Sequence, residues 1–300
     1  MNLNKLLILT AVTLSIAFNV HSRNPINIWD GTKCDKEVSL TPFLAEGGNN
    51  ISCIVCPGGS YFWLDRKTEG YGVAEWLQAN GISAFVLEYR VGGVPAFITH
   101  YRLFSRGNRY PDMLQDVQRS IQLIRQNASE FGIDPDKLGV MGFSAGGHLA
   151  GMSGEFFDSD FLSAAGVKTE VSLRPDFIAP IYPVVSFVDH STHKRSRRGI
   201  MGEGKSISRE MKDSLSLEKH VRPDMPPTFL MNCVDDPIVK YRNSELLDSA
   251  LTANGVNHKY IRYQTGGHGF GSNPDKTTEE AIGWKSEFLD WVKSLFSKDK

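Results

Sequence analysis

The stretch Asp136–Ala150 constrains the fold more than any other part of this sequence. It begins as a short apolar strand, turns through Gly142–Gly146 (Gly-Phe-Ser-Ala-Gly) and continues as a helix rich in small residues. A G-x-S-x-G pattern between a strand and a helix is typical of a nucleophile elbow, a sharp turn that holds a serine hydroxyl clear of the backbone. We therefore predict that Ser144 is a nucleophile, the alternative being an ordinary glycine-rich turn.

Two backbone amides near this serine are expected to stabilise negative charge. The N–H of Ala145 lies at the positive end of the helix that starts there. The apolar run Ile51–Cys56 predicts a strand buried on both faces, and a Pro-Gly-Gly-Ser-Tyr loop follows it directly. In serine hydrolases that carry a nucleophile elbow of this kind, the loop after such a strand supplies the second oxyanion donor. We assign this donor to Gly59, with Gly58 and Ser60 shaping the loop; a tight turn without a ligand is the alternative.

A serine hydroxyl becomes a good nucleophile only when a base takes its proton, and a histidine base needs an acid to orient it. In this architecture the three residues follow the order Ser, Asp or Glu, His. Asp236 lies just past the expected strand Thr228–Cys233, and His268 lies in a glycine-flanked loop past the last strand. Asp235 is the rival acid, and we prefer Asp236 because it heads the Asp-x-x-Val turn Asp236–Val239. His148 follows the elbow within the helix, where we expect it to pack.

Short apolar runs alternate with helical patterns, which predicts an α/β fold with a mostly parallel sheet and helices on both faces. The expected strands are Glu37–Leu44 at an edge, Ile51–Cys56, Ile82–Tyr89, the start of the elbow stretch, Phe177–Tyr182, Thr228–Cys233 and His258–Gln264. The expected helices are Glu69–Asn80, Tyr110–Asn127, the elbow helix, Tyr241–Ala253 and Glu279–Phe296. No internal repeat or linker is visible, so we predict a single domain over residues 23–300.

Two segments do not fit the alternation. Gly92–Arg109 has no clear period and carries aromatic and arginine residues, so we interpret it as an insertion over the site, or else as a solvated surface loop. His190–Ser216 is polar and basic. We interpret it as a cap or lid, although a basic run is usually a solvated face.

The first residues have the pattern of a secretory signal peptide. Lys5 precedes the apolar run Leu6–Phe18, and small residues precede a cleavage point near Ser22. The run is short for a bilayer span, which needs about 20 residues, so an uncleaved anchor is the less favoured alternative. We therefore expect residues 1–22 to be removed and the protein to be periplasmic or secreted, with no further membrane association.

Charge and cysteine content give no reason to expect a nucleic-acid partner or a metal. The 300 residues are 41% apolar and 22% charged, with a formal net charge of −1, as in ordinary globular proteins. Cys53 and Cys56 have C-x-x-C spacing within an expected strand, where residues three apart point to opposite faces. We expect inert core thiols rather than a redox or zinc pair. A disulfide involving Cys34 stays open.

Several segments together carry a family resemblance: Cys56–Tyr61, Glu69-Gly70, Glu88–Arg90, Tyr110-Pro111, Ile133–Pro135, Gly142–Ala150, Pro226–Phe229, Asp236–Val239 and Gly266–Phe270. They resemble the acetyl xylan esterase-like α/β-hydrolases, bacterial carbohydrate esterases related to the feruloyl-esterase and hormone-sensitive-lipase-type groups. The match covers nearly all of the chain after the signal peptide. Where lipase-type esterases carry His-Gly-Gly-Gly, this chain has Pro57 and Ser60 at the outer positions, which favours the carbohydrate-esterase branch.

The resemblance implies a serine carboxylic-ester hydrolase that deacetylates a polysaccharide or oligosaccharide without a metal or cofactor. A peptidase or aryl-amide hydrolase with the same residues stays open, as does a carbohydrate-binding protein on an inactive hydrolase fold. We expect the substrate to contact Gly58, Ser60, Tyr61 and Phe143, with Tyr61 walling a pocket that admits acetyl; packing of Tyr61 in the core is the alternative. The sugar, the acyl preference and the oligomeric state do not follow from the sequence.

Overall fold

A computed structural model describes residues 24–101, 107–202 and 207–297. Within these residues the strands are β1 (Ile26–Asn27), β2 (Ser39–Phe43), β3 (Ser52–Cys56), β4 (Ser83–Leu87), β5 (Leu138–Phe143), β6 (Phe177–Ile181), β7 (Thr228–Cys233) and β8 (His258–Tyr263). They form one sheet in the order β1-β2-β4-β3-β5-β6-β7-β8. The pairs β1–β2 and β2–β4 are antiparallel and all others are parallel, which confirms the predicted α/β fold.

Helices cover both faces of this sheet. They are α1 (Gly72–Ala79), α2 (Gly93–Thr99), α3 (Asp112–Gln126), α4 (Ala128–Phe131), α5 (Ala145–Glu155), α6 (Lys194–Met201), α7 (Arg209–Ser214), α8 (Arg242–Ala253), α9 (Glu279–Ile282) and α10 (Trp284–Phe296). One apolar cluster joins Cys56 to α3, α5 and α8, and a second joins Cys53 to α1 and α10. The strands β3 to β7 are therefore buried along their whole length, as continuous apolar runs predict.

Three elements differ from the sequence-based expectations. The expected edge strand Glu37–Leu44 is shorter, as β2, and lies one place in from the edge because the two-residue β1 pairs with it. The helix expected from Glu69 opens with a π-helical turn, Arg66–Tyr71, before α1 begins. The closing helix expected over Glu279–Phe296 is divided at Gly283, a residue type of low helix propensity.

The two expected insertions contain short helices. Gly92–Arg109 includes α2, a helix of seven residues in which only Ala96 is buried. Because its apolar residues do not alternate with polar ones, no amphipathic period marks it in the sequence. His190–Ser216 includes α6 and α7. A Cβ on Gly199 of α6 would collide with the carbonyl oxygen of Ser60, so α6 packs directly on the loop after β3. This contact brings the second insertion beside the predicted oxyanion loop.

Some expectations fall outside the described residues. They are the signal peptide, residues 1–22, and two parts of the expected insertions, residues 102–106 and 203–206. Among the helices that the structure describes, none has the length and apolar character needed to cross a membrane.

The approach of α5 to the sheet generates a stability prediction. A Cβ on Gly146 would collide with the carbonyl oxygen of Cys56, a backbone atom that cannot move aside. We expect Gly146→Ala to lower the free energy of unfolding by more than about 2 kcal/mol, although alanine favours helix by about 1 kcal/mol. Urea denaturation followed by circular dichroism measures this change.

Gly154 on the same helix is the matched control. A Cβ there would lie 3.0 Å from Ile178 Cδ1, the end of a flexible side chain. Gly154→Ala should therefore change the free energy of unfolding by no more than about 1 kcal/mol in either direction. Equal effects of the two substitutions would contradict the close backbone approach at Gly146.

Candidate active site

Ser144 lies on a sharp turn between β5 and α5. Its φ of +56° and ψ of −114° lie outside the regions that residues with a side chain usually adopt. Its N–H donates to the carbonyl oxygen of Ile181 at 3.0 Å. A Cβ on Gly142 would collide with the carbonyl oxygen of Gly146, and one on Gly146 with that of Cys56. The geometry is that of the expected elbow, and strain of this kind is concentrated at functional sites.

The three predicted triad residues form one chain of hydrogen bonds. His268 Nε2 is 2.9 Å from Ser144 Oγ, and His268 Nδ1 is 2.6 Å from Asp236 Oδ2. A carboxylate only accepts, so Nδ1 carries the imidazole proton and Nε2 is left to accept from the serine hydroxyl. Ser144 is 5% exposed, the His268 side chain 10% and the Asp236 side chain 0%, so the chain of hydrogen bonds is shielded from bulk water. The arrangement is suited to nucleophilic attack with general-base assistance.

The two neighbouring aspartates have different partners. Besides His268, Asp236 accepts through Oδ1 from the amides of Ile238 (2.7 Å) and Val239 (2.9 Å), so its carboxylate is held from both sides. Asp235 instead accepts from the amides of Gly266 (3.2 Å) and Gly267 (2.9 Å), in the loop that carries His268. Asp236 is thus the acid that contacts the histidine, as the sequence predicts. Asp235 anchors the histidine loop.

The loop after β3 lies against the nucleophile. A Cβ on Gly58 would come within 3.0 Å of Ser144 Cβ, which leaves room only for glycine. Gly59 has φ +139°, and its carbonyl oxygen accepts from the amides of Phe62 (3.1 Å) and Trp63 (3.2 Å). Across the described part of the chain, no hydrogen bond engages the amide of Gly59 or of Ala145. Both amides therefore lack a hydrogen-bond partner among the described residues, whereas the Gly58 amide is already bonded to Glu69.

The expected substrate contacts of Tyr61 and Phe143 are wrong. Tyr61 has no exposed surface, and its Oη lies 2.7 Å from His148 Nδ1. Phe143 is equally buried, with its ring 5.8 Å from that of Tyr182 between centroids. Both rings are covered because the loop and the strand turn inward at these positions, so neither can wall an open pocket. The alternative considered for Tyr61, packing in the core, is the one observed.

His148 packs within the core, as expected. Its Nε2 lies 2.8 Å from the carbonyl oxygen of Leu215, and burial lowers its pKa to about 4, so the imidazole is neutral at neutral pH. Cys53 and Cys56 are free thiols on opposite faces of the sheet, and burial raises the pKa of each. Within the described residues, no three His, Cys, Asp or Glu side chains are grouped to hold a metal ion.

Sequence reasoning missed four residues around the triad. The ring of Tyr182 packs on that of His268 with centroids 4.7 Å apart, and the Tyr182 hydroxyl donates to the buried carboxylate of Glu69. The indole of Trp63 touches the Gly59 backbone from outside and is 38% exposed. Burial lowers the pKa of His193 to about 4, helped by the neighbouring charge of Arg195. The position of Tyr182 directly after β6, at the same edge as the triad, is the one signal that could have revealed it.

Comparison with known proteins identifies the family. The family model described as BD-FAE matches residues 49–251, more than half of the 300 residues. The chain belongs to the BD-FAE family. Its acetyl xylan esterase-like character, suggested by the sequence motifs, is supported by individual relatives as well.

Among solved structures, an acetyl ester-xyloside bifunctional hydrolase from Caldicellulosiruptor lactoaceticus is 32% identical. The alignment covers 91% of this chain and 96% of that one, with a TM-score of 0.78. An acetylxylan esterase of Xylanibacter ruminicola is 27% identical over 90% of this chain and 51% of its own length. An endo-1,4-beta-xylanase B of Butyrivibrio fibrisolvens is 31% identical over 81% of this chain and 37% of its own. The chain thus spans about half or less of these two curated relatives.

The separate roles of the two aspartates generate a prediction. Asp236→Asn removes the charge that stabilises the imidazolium. Its one amide oxygen should stay with the amides of Ile238 and Val239, so an NH₂ group faces His268 Nδ1, and kcat on p-nitrophenyl acetate should fall by about 10³-fold or more. Asp235→Asn keeps one acceptor oxygen for the loop amides, and losing one such hydrogen bond costs about 1 kcal/mol, so kcat should fall by no more than about tenfold. A crippling Asp235→Asn beside a mild Asp236→Asn would show that the acid is assigned one residue out of register.

Proposed function

We propose that the protein is a serine carboxylic-ester hydrolase that removes acetyl groups from a polysaccharide or from its oligosaccharides. The observation that carries the proposal is the hydrogen-bonded chain from Ser144 through His268 to Asp236, set on an elbow next to two unengaged amides. Relatives named as esterases support the reaction class.

In the proposed reaction His268 takes the proton of Ser144 Oγ while that oxygen bonds to the acyl carbon of the ester. Asp236 stabilises the imidazolium, and the amides of Gly59 and Ala145 donate to the oxyanion. The bond to the sugar oxygen then breaks, and the imidazolium gives its proton to that oxygen, so the acetyl group stays on the serine. A water molecule then gives a proton to His268 and bonds to the acyl carbon of the acyl-enzyme. The bond to Ser144 Oγ breaks, the imidazolium returns the proton to that oxygen, and acetate leaves carrying the oxygen of the water molecule.

Two observations support a carbohydrate as the alcohol part of the ester. The relatives' names include acetylxylan esterase, xylanase and acetyl ester-xyloside hydrolase. Trp63, 38% exposed, lies against Gly59, and the guanidinium of Arg195 is 5.9 Å from its ring centre. The part of the indole that Arg195 and Phe97 leave exposed lies next to the acyl site and offers an apolar surface against which a sugar ring can pack.

The test of the reaction class is turnover of p-nitrophenyl acetate, p-nitrophenyl butyrate and an aminoacyl anilide by one preparation. We expect hydrolysis of the esters and not of the anilide. Ser144→Ala and His268→Ala should each lower kcat by at least about 10⁴-fold, because each removes a group that bonds to or deprotonates the reacting atom. Both variants should keep the wild-type circular dichroism spectrum.

Turnover of the anilide alone would overturn the ester hydrolase in favour of a peptidase. Absence of turnover with every probe would favour a carbohydrate-binding protein. If the esters are hydrolysed, acetate release from acetylated xylan, pectin and acetylated oligosaccharides by the same preparation would identify the sugar.

The proposed sugar contact predicts a split between substrates. Trp63→Ala should raise KM for an acetylated xylo-oligosaccharide by about tenfold, because the sugar loses its stacking surface. KM for p-nitrophenyl acetate, which has no sugar, should change by less than about threefold. Phe157→Ala is the control, since this partly exposed ring lies beyond the far end of α5. Equal losses on both substrates would mean that Trp63 supports the oxyanion loop rather than the sugar.

We also propose that the protein is exported after cleavage near Ser22, on the sequence pattern of residues 1–22. The mass of the mature protein recovered from the periplasm or medium would test this. Retention of residues 1–22 in the membrane fraction would contradict it.

A further inference from the structure

Glu69 is a buried carboxylate that the proposed reaction does not use. It is 3% exposed and lies on the π-helical turn Arg66–Tyr71, behind the elbow. Its Oε2 accepts from the amide of Gly58 at 2.8 Å, and its Oε1 accepts from the hydroxyl of Tyr182 at 2.9 Å. A carboxyl group removed from water in this way is costly unless its oxygens are paired, and here both are.

The two partners of Glu69 belong to different loops of the site. Gly58 lies in the loop after β3, one residue before the proposed oxyanion donor Gly59. Tyr182 follows β6, and its hydroxyl oxygen also accepts from the amide of Gly271 at 2.9 Å. Gly271 lies three residues after His268 in the loop that follows β8. One carboxylate therefore joins the loops that carry the oxyanion donor and the base.

Each of the two hydrogen bonds of Glu69 leads to a group that reacts in the proposed mechanism. A Cβ on Gly58 would lie 2.5 Å from Glu69 Oε2 and 3.0 Å from Ser144 Cβ, so the carboxylate is separated from the nucleophile by a single backbone layer. On the other side the Tyr182 ring packs on the His268 ring at 4.7 Å, with 52° between their planes. A shift of either loop would move a group whose placement to within about 1 Å governs the rate.

The chemistry of the partners favours a carboxylate over an amide. Gly58 presents an N–H, and Tyr182 presents an O–H because its oxygen is already an acceptor for Gly271. Two donors need two acceptor oxygens. Glutamine has one, and its NH₂ group would face a donor. The backbone N–H of Gly58 cannot turn away, so a glutamine should keep that bond with its one oxygen. Its NH₂ group then faces Tyr182, so the charge-assisted bond from the tyrosine hydroxyl is lost, and at most a weaker neutral bond of reversed direction replaces it.

We propose that Glu69 is a positioning residue for the reaction. Through Gly58 it holds the oxyanion loop, and through Tyr182 it holds the loop of His268. It therefore fixes the oxyanion donor and the general base relative to Ser144. This inference rests on the proposed ester hydrolysis and deepens it, and Glu69 itself contacts no substrate.

The test compares Glu69→Gln, Tyr182→Phe and the double variant, with kcat and KM measured on p-nitrophenyl acetate. Tyr182→Phe removes one oxygen atom and leaves the Gly271 amide without its acceptor, while the ring can still pack on His268. We expect each single variant to lower kcat by about 10- to 100-fold with KM changed by less than about threefold. The double variant should be no slower than the slower single one, because both substitutions break the same link.

Glu155→Gln is the matched control. Glu155 is also a glutamate with 3% exposure, and it lies at the far end of α5, about 15 Å from the elbow by helix rise. Glu69→Gln should lower the melting temperature because it breaks a buried hydrogen bond, whereas both side-chain oxygens of Glu155 lie without a hydrogen-bond partner among the described residues, so Glu155→Gln breaks none. Only Glu69→Gln should lower kcat, whereas Glu155→Gln should stay within about twofold of wild type.

The outcomes separate the two proposals. An active wild type whose Glu69→Gln variant keeps its kcat, as Glu155→Gln should, would overturn the positioning role and leave ester hydrolysis standing. If the fold-loss of kcat in the double variant equals the product of the two single fold-losses, the link from Glu69 through Tyr182 would be overturned. A wild type that hydrolyses no ester would overturn the proposed function, and the inference with it. If Glu69→Gln does not fold, Tyr182→Phe alone decides, and an unchanged kcat for it would contradict the inference.

Discussion

The site depends on how closely the first turn of α5 approaches the ends of β3 and β5. Gly146 rests on the carbonyl oxygen of Cys56, and Gly142 on that of Gly146, at separations that no side chain could occupy. This contact forces Ser144 into its unusual backbone conformation at the rim of the sheet. It also brings the amide of Ala145 and the loop after β3 to the same side of the serine. The positions of the proposed nucleophile and of the proposed oxyanion donors therefore follow from one packing constraint.

Parallel strands bring their carboxyl ends to one edge, but the loops there still have to be held at defined distances. In this protein three carboxylates, two of them buried, do so by accepting from loop amides. Asp236 accepts from the two amides that follow it, Asp235 from the loop of His268, and Glu69 from the loop after β3. Backbone amides cannot rotate away from such acceptors, so each carboxylate limits the movement of at least one loop. The triad distances are thus supported by residues outside the triad.

Local signals predicted the sheet, the elbow and the triad, because each has a period or a spacing that can be read along the chain. The acid was assigned to Asp236 rather than Asp235 from its turn alone. Sequence patterns did not predict the contacts between residues that lie far apart along the chain. The ring of Tyr61 was expected at the substrate, but the inward turn of its loop buries it against His148. Glu69 lies eleven residues from its partner Gly58 and over a hundred from Tyr182, and no pattern in the sequence joins them.

The central claim is that Ser144 carries the acyl group between the two half-reactions. The direct measurement is rapid mixing with p-nitrophenyl acetate, an acid quench and mass spectrometry of the proteolytic peptides. The account predicts one added acetyl group on the peptide that contains Ser144, and none on that peptide in the Ser144→Ala variant. An acetyl group on a different residue, or steady turnover by the Ser144→Ala variant, would contradict it.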